Sequence, residues 1–291
     1  MEQAYNITDI QYSKPFKLVA ISDESGTLII NKYSPKHSAL SIQNIEVYRY
    51  RGHKACITKI AWADCENGCA LATSSIDKTV VLHSKLNTGD WISSTPFMLD
   101  SFVLGIDFTP KEYGFIIGAI TYYGTIYLIT SNVSSSMREL KSKCRYESQV
   151  KLNSPISAIA FRPFSENYPD QKMQVAYTGG DDRTLMLMCP KYKEGKPICD
   201  NMSKDDDITK VVCLDWCPVC NEQYILAVGT EKAVKVCFFD IKTDTKSCIE
   251  TVVDYSVKKL KWESTILILL KDDKILQYEA DIVNKKMILI E

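Results

Sequence analysis

The chain has 291 residues, 45% of them hydrophobic and 24% charged, the proportions of a compact globular protein rather than of a disordered tail. Its 35 Lys and Arg oppose 36 Asp and Glu, so the net charge of -1 offers no field to gather a phosphate backbone, and direct nucleic-acid binding is not expected. The opening MEQAYNITDIQYSKPF has no basic start followed by an apolar run, which argues against a secretory leader, and the most apolar stretch, Ile266 to Leu270, is far too short for direct membrane insertion.

In chain order, the first expected unit spans about 1-50: an inner strand at Ile7 to Tyr12, strands at Leu18 to Ile21 and Thr27 to Asn31, and an outer strand near Ile45 to Arg49. The polar loop Pro35 to Gln43 is expected at the surface, with His37 solvated. The second unit, 51-99, is the fullest: Gly52-His53, a strand from Ile57 to Trp62, Leu71-Ala72-Thr73, a turn at Asp77-Lys78, Thr79 to Leu82, and an outer strand around Trp91 to Met98. A short carboxylate in a tight turn accepts hydrogen bonds from turn amides and from a nearby histidine, so His53 and Ser75 are the expected partners of Asp77. Gly-His, a strand closing on Trp and Leu-Ala-x-x-Ser-x-Asp-x-Thr-Val resemble one WD repeat, the sequence unit of a β-propeller blade.

Recurrence carries the fold. Strands ending in an aromatic residue close at Tyr12, Trp62, Phe108, Phe161, Trp216 and Trp262, often with Pro two residues on, at intervals of about 50 residues, the four-strand blade period with loop insertions. The expected fold is therefore all-β: a WD-repeat β-propeller of six blades in a single domain, 1-291, divided at about 1-50, 51-99, 100-150, 151-200, 201-250 and 251-291.

In the third blade Tyr123 occupies the place of the turn aspartate, and aromatic packing is expected to substitute for the polar network. The Ser-rich segment Ser131 to Glu147, ending in Lys141-Ser142-Lys143-Cys144-Arg145, is expected as a solvated loop rather than a basic binding patch. In the fourth, Asp182 restores the turn aspartate, Pro163 to Lys172 is an insertion loop, and Lys191 to Asp207 is expected as a mobile connection where proteolytic nicking starts. The fifth holds Cys217-Pro-Val-Cys220, whose spacing suits a redox pair or half a zinc site; the other close pair, Cys65 and Cys69, lies in a blade that is not its neighbour, so neither a metal nor a cofactor is expected. The 11 cysteines are odd in number and, like Cys56, Cys213 and Cys237, sit mostly in strand patterns, which suits reduced, buried thiols of a cytosolic or nuclear protein; sequons at Asn6, Asn132 and Asn201 would then stay silent. The sixth runs through Val257 to Trp262, Thr265 to Leu270, Ile275 to Tyr278 and Lys286 to Ile290.

His53, Asp77 and a hydroxyl together invite a catalytic reading, but a buried hydrogen-bond network that specifies packing is the stronger one, and with no phosphate loop and no metal-ligand set the chain is not expected to be an enzyme. Each blade is expected to supply its own four strands, so the termini hold nothing to exchange, and an open propeller would expose edges that a partner's strand could cover. The expected docking edge comprises Ile7, Ile10 and Tyr12 with Ile275 and Tyr278.

Trp62-Ala63, Gly68, Ala70 to Val80, Asn87 to Trp91 and Phe108-Thr109-Pro110-Lys111-Glu112-Tyr113-Gly114 are similar to the second and third blades of the Sec-thirteen and Seh-one family, the small propellers of the COPII outer coat and the nuclear pore Y-complex, with Phe-x-Pro-Lys-x-x-Gly and the Ser-rich connection closer to the Seh-one branch. The likeness covers roughly Gly52 to Thr130; His83 stands where the family has Trp, Cys65 and Asn67 depart from its pattern, and Ser25 stands where blade one would carry Asp. The resemblance implies an open ring completed by a blade from an elongated α-helical scaffold partner, in a hetero-oligomeric complex serving protein and mRNA transport at the nuclear envelope and in the cytoplasm. The alternatives are a COPII coat subunit at endoplasmic reticulum exit sites and a closed propeller whose rim loops read peptides.

Overall fold

The computed structural model describes residues 6–34, 41–64, 68–130, 145–151, 155–167, 175–179, 184–193, 196–205, 210–218, 223–240, 242–243, 245–257, 259–271 and 274–290. They fall into two compact units, Met1–Lys151 and Leu152–Glu291. The fold is all-β and of the propeller kind: antiparallel sheets succeed one another along the chain, each built from consecutive strands.

In the first unit, β1 (Ile7–Ser13), β2 (Leu18–Asp23), β3 (Leu28–Ser34) and β4 (Ser41–Tyr50) pair in chain order. β5 (Ile57–Trp62), β6 (Ala70–Ser75), β7 (Thr79–Lys85) and β8 (Trp91–Ser93) follow, with β9 (Phe97–Met98) pairing β7 as well; then come β10 (Val103–Phe108), β11 (Ile116–Thr121), β12 (Thr125–Thr130) and β13 (Arg145–Lys151). The second unit holds β14 (Ile156–Phe161), β15 (Val175–Gly179), β16 (Thr184–Lys193) and β17 (Lys196–Asp205). After them run β18 (Val211–Trp216), β19 (Gln223–Thr230), β20 (Val234–Asp240) and β21 (Thr245–Val253), then β22 (Lys259–Glu263), β23 (Ile266–Lys271), β24 (Lys274–Asp281) and β25 (Lys286–Leu289).

Six uniform four-stranded blades were expected, and five of the sheets have that form; the sheet from β5 to β9 is five-stranded instead. Its outer edge, read as one strand from Trp91 to Met98, breaks at Ser94-Thr95-Pro96. There Ser94 N donates to Leu82 O at 2.8 Å and Ser94 Oγ accepts from Leu82 N at 3.0 Å, so one hydroxyl replaces the ladder carbonyl just before a proline that has no N–H to give.

Lys191 to Asp207, expected as a connection, is mostly strand: β16 and β17 form a long hairpin paired down to Lys193 and Lys196. Its tip runs beyond β15, whose pairing with β16 stops at Met188, so Pro190 sits where no β15 carbonyl requires an N–H. Likewise Arg145 to Glu147 belongs to β13 rather than to the preceding loop. His37 and Lys141 to Cys144 lie outside the described residues.

The middle strands explain why hydrophobic runs replace alternation. All of β6 is buried, and β19 buries Ile225 and Ala227 on one face and Leu226 and Val228 on the other. In the first unit one core joins Leu18, Ala20 and Leu28 to Ile57, Ile60 and Leu71, and another joins Ala72, Val80 and Leu82 to Val103, Ile106 and Ile117. In the second, Ala160 and Ala176 pack with Trp216 and Leu226, and Ile225 and Phe238 with Leu260, Trp262 and Leu267.

Candidate functional site

Asp77 lies in the β6–β7 turn, where Lys78 takes a left-handed conformation (φ 72°). One carboxylate oxygen accepts from Thr79 N at 3.0 Å and Thr79 Oγ1 at 2.6 Å; the other accepts from Lys54 N at 2.8 Å and faces His53 Nδ1 at 3.1 Å. A carboxylate only accepts, so His53 Nδ1 carries the proton and its Nε2 must accept. The donor is Thr73 Oγ1, 2.8 Å away. The Thr73 oxygen then receives His83 Nε2–H at 3.1 Å, which leaves His83 Nδ1 to accept from the Tyr48 hydroxyl at 3.2 Å. Tyr48, His83, Thr73, His53 and Asp77 thus form one directed relay, every bond pointing toward the carboxylate.

Burial sets the charges. His83 is fully enclosed by Tyr48, Tyr50 and Thr73, and burial, with the His53 charge adding to it, pulls its pKa down to about 3. Burial also lowers His53, against the opposing pull of Asp77. For Asp77 burial alone would raise the pKa, but the bonds from Thr79, Lys54 N and His53 outweigh it and hold the carboxyl below its usual range. Two neutral histidines and one carboxylate are therefore locked together near neutral pH, and the hydroxyl that bridges the two rings is shut off from solvent: Thr73 is 0% exposed.

Of the residues expected here, His53 and Asp77 meet, whereas Ser75 does not join the relay. Its hydroxyl accepts Asp77 N at 3.0 Å and donates to Ala55 O at 3.1 Å, bracing the turn from its other side. Thr73, on the same face of β6 two residues earlier, takes the bridging place because it lies closer to His83 on β7. His83 fills the place of the family's Trp, carrying the network one bond further, to Tyr48, in an aromatic box completed by Trp91 stacked 5.3 Å from Tyr48.

The same turn chemistry recurs with other residues. In blade one Asp23, two residues before the expected position at Ser25, accepts from Ser25 N and Thr27 N at 2.9 Å and from Ser25 Oγ at 2.6 Å. In blade three the substitute is not aromatic packing: Tyr123 is exposed, while Asp100 accepts from Thr125 Oγ1 at 2.7 Å and Ser101 Oγ from Tyr123 N at 3.0 Å. Asp182 lies outside the described residues.

A second set of contacts ties each inner strand to its neighbour within a unit. β1, β5, β10, β14 and β18 each begin with a bulge, and β22 does not. At the bulge Thr58 Oγ1 donates to Val103 O at 2.7 Å, and Ser157 Oγ to Val211 O at 2.8 Å. Further along, Asp9 accepts Ile60 N at 3.0 Å, and Asp215 accepts Trp262 N at 2.8 Å. The strand-closing aromatics that mark the period belong to this clasp: Trp62 Nε1 donates to Gln11 O at 3.1 Å and Trp216 Nε1 to Ala160 O at 3.2 Å. Trp262 Nε1 is buried with no partner among the described residues.

No protein-family model matches the chain. It is 28% identical over 92 residues to a Drosophila melanogaster protein described as SEC13 homolog, a stretch covering 31% of this chain and 26% of that protein. The chain thus spans about a quarter of that relative. Together with the blade pattern, the likeness supports a WD-repeat propeller of the Sec-thirteen and Seh-one type.

The expected docking edge divides. β1 is the first strand of its sheet, with Ile7 exposed, Ile10 half-buried and Tyr12 edge-on to Tyr33 at 5.4 Å, but its free side is already engaged through Asp9 and Gln11. Tyr278 is not on an edge, because there β24 is paired on both sides, to Leu267 of β23 and Leu289 of β25; Ile275 lies beyond the reach of β25, paired only to Leu270 of β23, and is exposed. Among the described thiols Cys69, Cys217 and Cys237 are buried, and Cys56 and Cys213 half-buried. Cys217 Sγ donates to Ser264 O at 3.2 Å, and burial pushes the Cys69 thiol up to about 11 against the opposing charge of Lys85; Cys65 and Cys220 lie outside the described residues. Among the described residues no group of three His, Cys, Asp or Glu side chains is placed to hold a metal ion, and no helix is long and apolar enough to cross a membrane.

Proposed function

We propose that this chain is a non-catalytic scaffold subunit that docks onto an elongated α-helical partner in a membrane-coat-like assembly, the nuclear pore Y-complex. In this reading the propeller is open and its missing blade comes from the partner. It uses no cofactor, touches neither nucleic acid nor lipid directly, and works at the nuclear envelope and in the cytoplasm. The observation that carries the proposal is the likeness to the SEC13 homolog, joined to the resemblance of Gly52 to Thr130 to the family's second and third blades. The chemistry of that stretch agrees: its histidines, threonines and aspartate are spent on one another in a buried relay rather than presented to a substrate.

The test is affinity purification of the tagged chain at gentle salt, with mass spectrometry of the proteins retained. Long helical nucleoporins support the proposal, and a COPII cage subunit moves the chain to the sibling coat. A monodisperse, stable monomer that retains neither overturns the open scaffold and leaves a self-contained, peptide-reading propeller.

A further inference from the structure

The outermost strand of a sheet turns a row of backbone N–H and C=O groups to a side where no strand lies, and native sheets guard such edges with charged side chains or breaks. β4, β13, β17 and β21 each carry charges of both signs, and the outer edge of the second sheet is cut into β8 and β9 at Ser94-Thr95-Pro96. β25 is different. It ends its sheet, beside β24, and after Lys286 it reads Met-Ile-Leu, with Ile290 next. Ile288, Leu289 and Ile290 are 54%, 56% and 45% exposed; apart from this last sheet and its hairpin turn, Val212 is the one large apolar side chain exposed among the described residues of the second unit.

One bond fixes which backbone groups of this edge face outward. Ile290 N donates to Gln277 O at 2.8 Å, so the backbone of Ile290 is turned toward β24. In an antiparallel ladder the direction alternates from residue to residue. Leu289, opposite Tyr278, therefore turns its N–H and C=O to the open side. The residue whose backbone is aimed outward is thus also the middle of the exposed apolar triplet.

Ile288-Leu289-Ile290 reads the same in both directions, and that symmetry selects the occupant. A second copy laid antiparallel across a two-fold axis at Leu289 exchanges both backbone bonds with the first at that residue, and sets Ile288 of each copy opposite Ile290 of the other. Charge favours the same direction. Lys285 and Lys286 precede the triplet and Glu291 follows it in the sequence, so antiparallel copies bring unlike charges together at each end of the ladder, whereas parallel copies put lysine beside lysine.

We propose that β25 is a self-association edge, through which two copies of this chain pair antiparallel about Leu289 and join two four-stranded sheets into one of eight strands. β25 lies at the opposite end of its sheet from the inner strand β22, and the inference does not depend on the scaffold reading. Sedimentation velocity of the full chain tests it, from about 1 μM to about 300 μM, the range suited to a ladder shorter than a standard interface. The expected result is a monomer that passes to a dimer as concentration rises. Leu289→Pro removes the outward N–H from both copies and leaves the bond from Ile290 to Gln277 in place, and Ile288→Lys sets an ammonium group against Ile290 twice over; each should weaken association about tenfold or more. Both positions are exposed, and unchanged melting temperatures verify that the variants remain folded. The register has its own readout. Residues 288 and 290 of opposite copies form a non-bonded pair with Cα atoms about 4.5 Å apart, within disulfide reach, so under oxidised glutathione a mixture of Ile288→Cys and Ile290→Cys should give linked dimers faster than either variant alone or the parent. A chain that sediments as a monomer throughout, a Leu289→Pro or Ile288→Lys variant that associates as tightly as the parent, or a mixture that links no faster than its components overturns it.

Discussion

His83 makes stability depend on acidity in a calculable way. The ring is fully buried and neutral, with its pKa pulled down to about 3, whereas in the unfolded chain it returns to about 6.5. Above that unfolded value neither state binds the proton and the fold keeps its full stability. As pH falls below it, the unfolded state alone takes up the proton, and stability drains until the folded pKa is reached. Between about pH 7.5 and about pH 5 the loss amounts to about 2 kcal/mol, a large fraction of the ~5–15 kcal/mol typical of a domain. His83→Phe removes the titration while keeping a ring in the box of Tyr48, Tyr50 and Trp91; it costs about 1–3 kcal/mol at neutral pH because Tyr48 and Thr73 lose a partner. Urea unfolding followed by tryptophan fluorescence across that pH range, with Trp91 stacked directly on Tyr48, reads both numbers. The variant should lose about 2 kcal/mol less than the parent on acidification, its residual slope coming in part from His53, which titrates in the same direction. Parallel pH curves for parent and variant would refute the buried neutral histidine.

Thr73→Val removes the hydroxyl between the two histidines and should cost about 1–3 kcal/mol for each ring nitrogen left unpaired, whereas Thr73→Ser keeps the bridge and should stay within about 1 kcal/mol of the parent. Ser75→Ala, which releases only turn bonds, should cost less than Thr73→Val; the reverse order of urea midpoints would put Ser75 back in the relay. Gly26→Ala should destabilise by about 1–2 kcal/mol from its left-handed backbone (φ +84°) alone and more from the added Cβ, which would lie 2.7 Å from Ala55 O, and a melting temperature equal to the parent's would contradict both.

What local pattern could reveal, it did. Trp62, Phe108, Trp216 and Trp262 close their strands with rings packed into cores that join neighbouring sheets, and the indoles of Trp62 and Trp216 also reach the neighbouring strand. The Asp77 turn was readable from its own four residues. The bridging hydroxyl was not: Thr73 and Ser75 share a face of β6, and only the register against β7 decides which one meets His83. His83 looked like the loss of a Trp from a pattern, when in place it supplies both a donor and an acceptor. Charge density made Lys191 to Asp207 look like a loop, because a hairpin that outruns its sheet has no apolar face to impose alternation. The placing of Tyr278 at an edge, unlike that of Ile275, failed for a related reason: whether a strand is flanked once or twice is fixed by the partner that folds over it, not by its own residues.

The inner-strand clasp also has a bearing on synthesis. Within each unit every such bond joins a strand to the one belonging to the next sheet in chain order: Trp62 reaches back to Gln11 and Trp216 to Ala160, while Thr58 and Ser157 wait for the carbonyls of Val103 and Val211. A nascent chain leaving the ribosome amino end first therefore meets, with each new sheet, a template that is already in place and whose waiting hydroxyls are satisfied by the sheet just made.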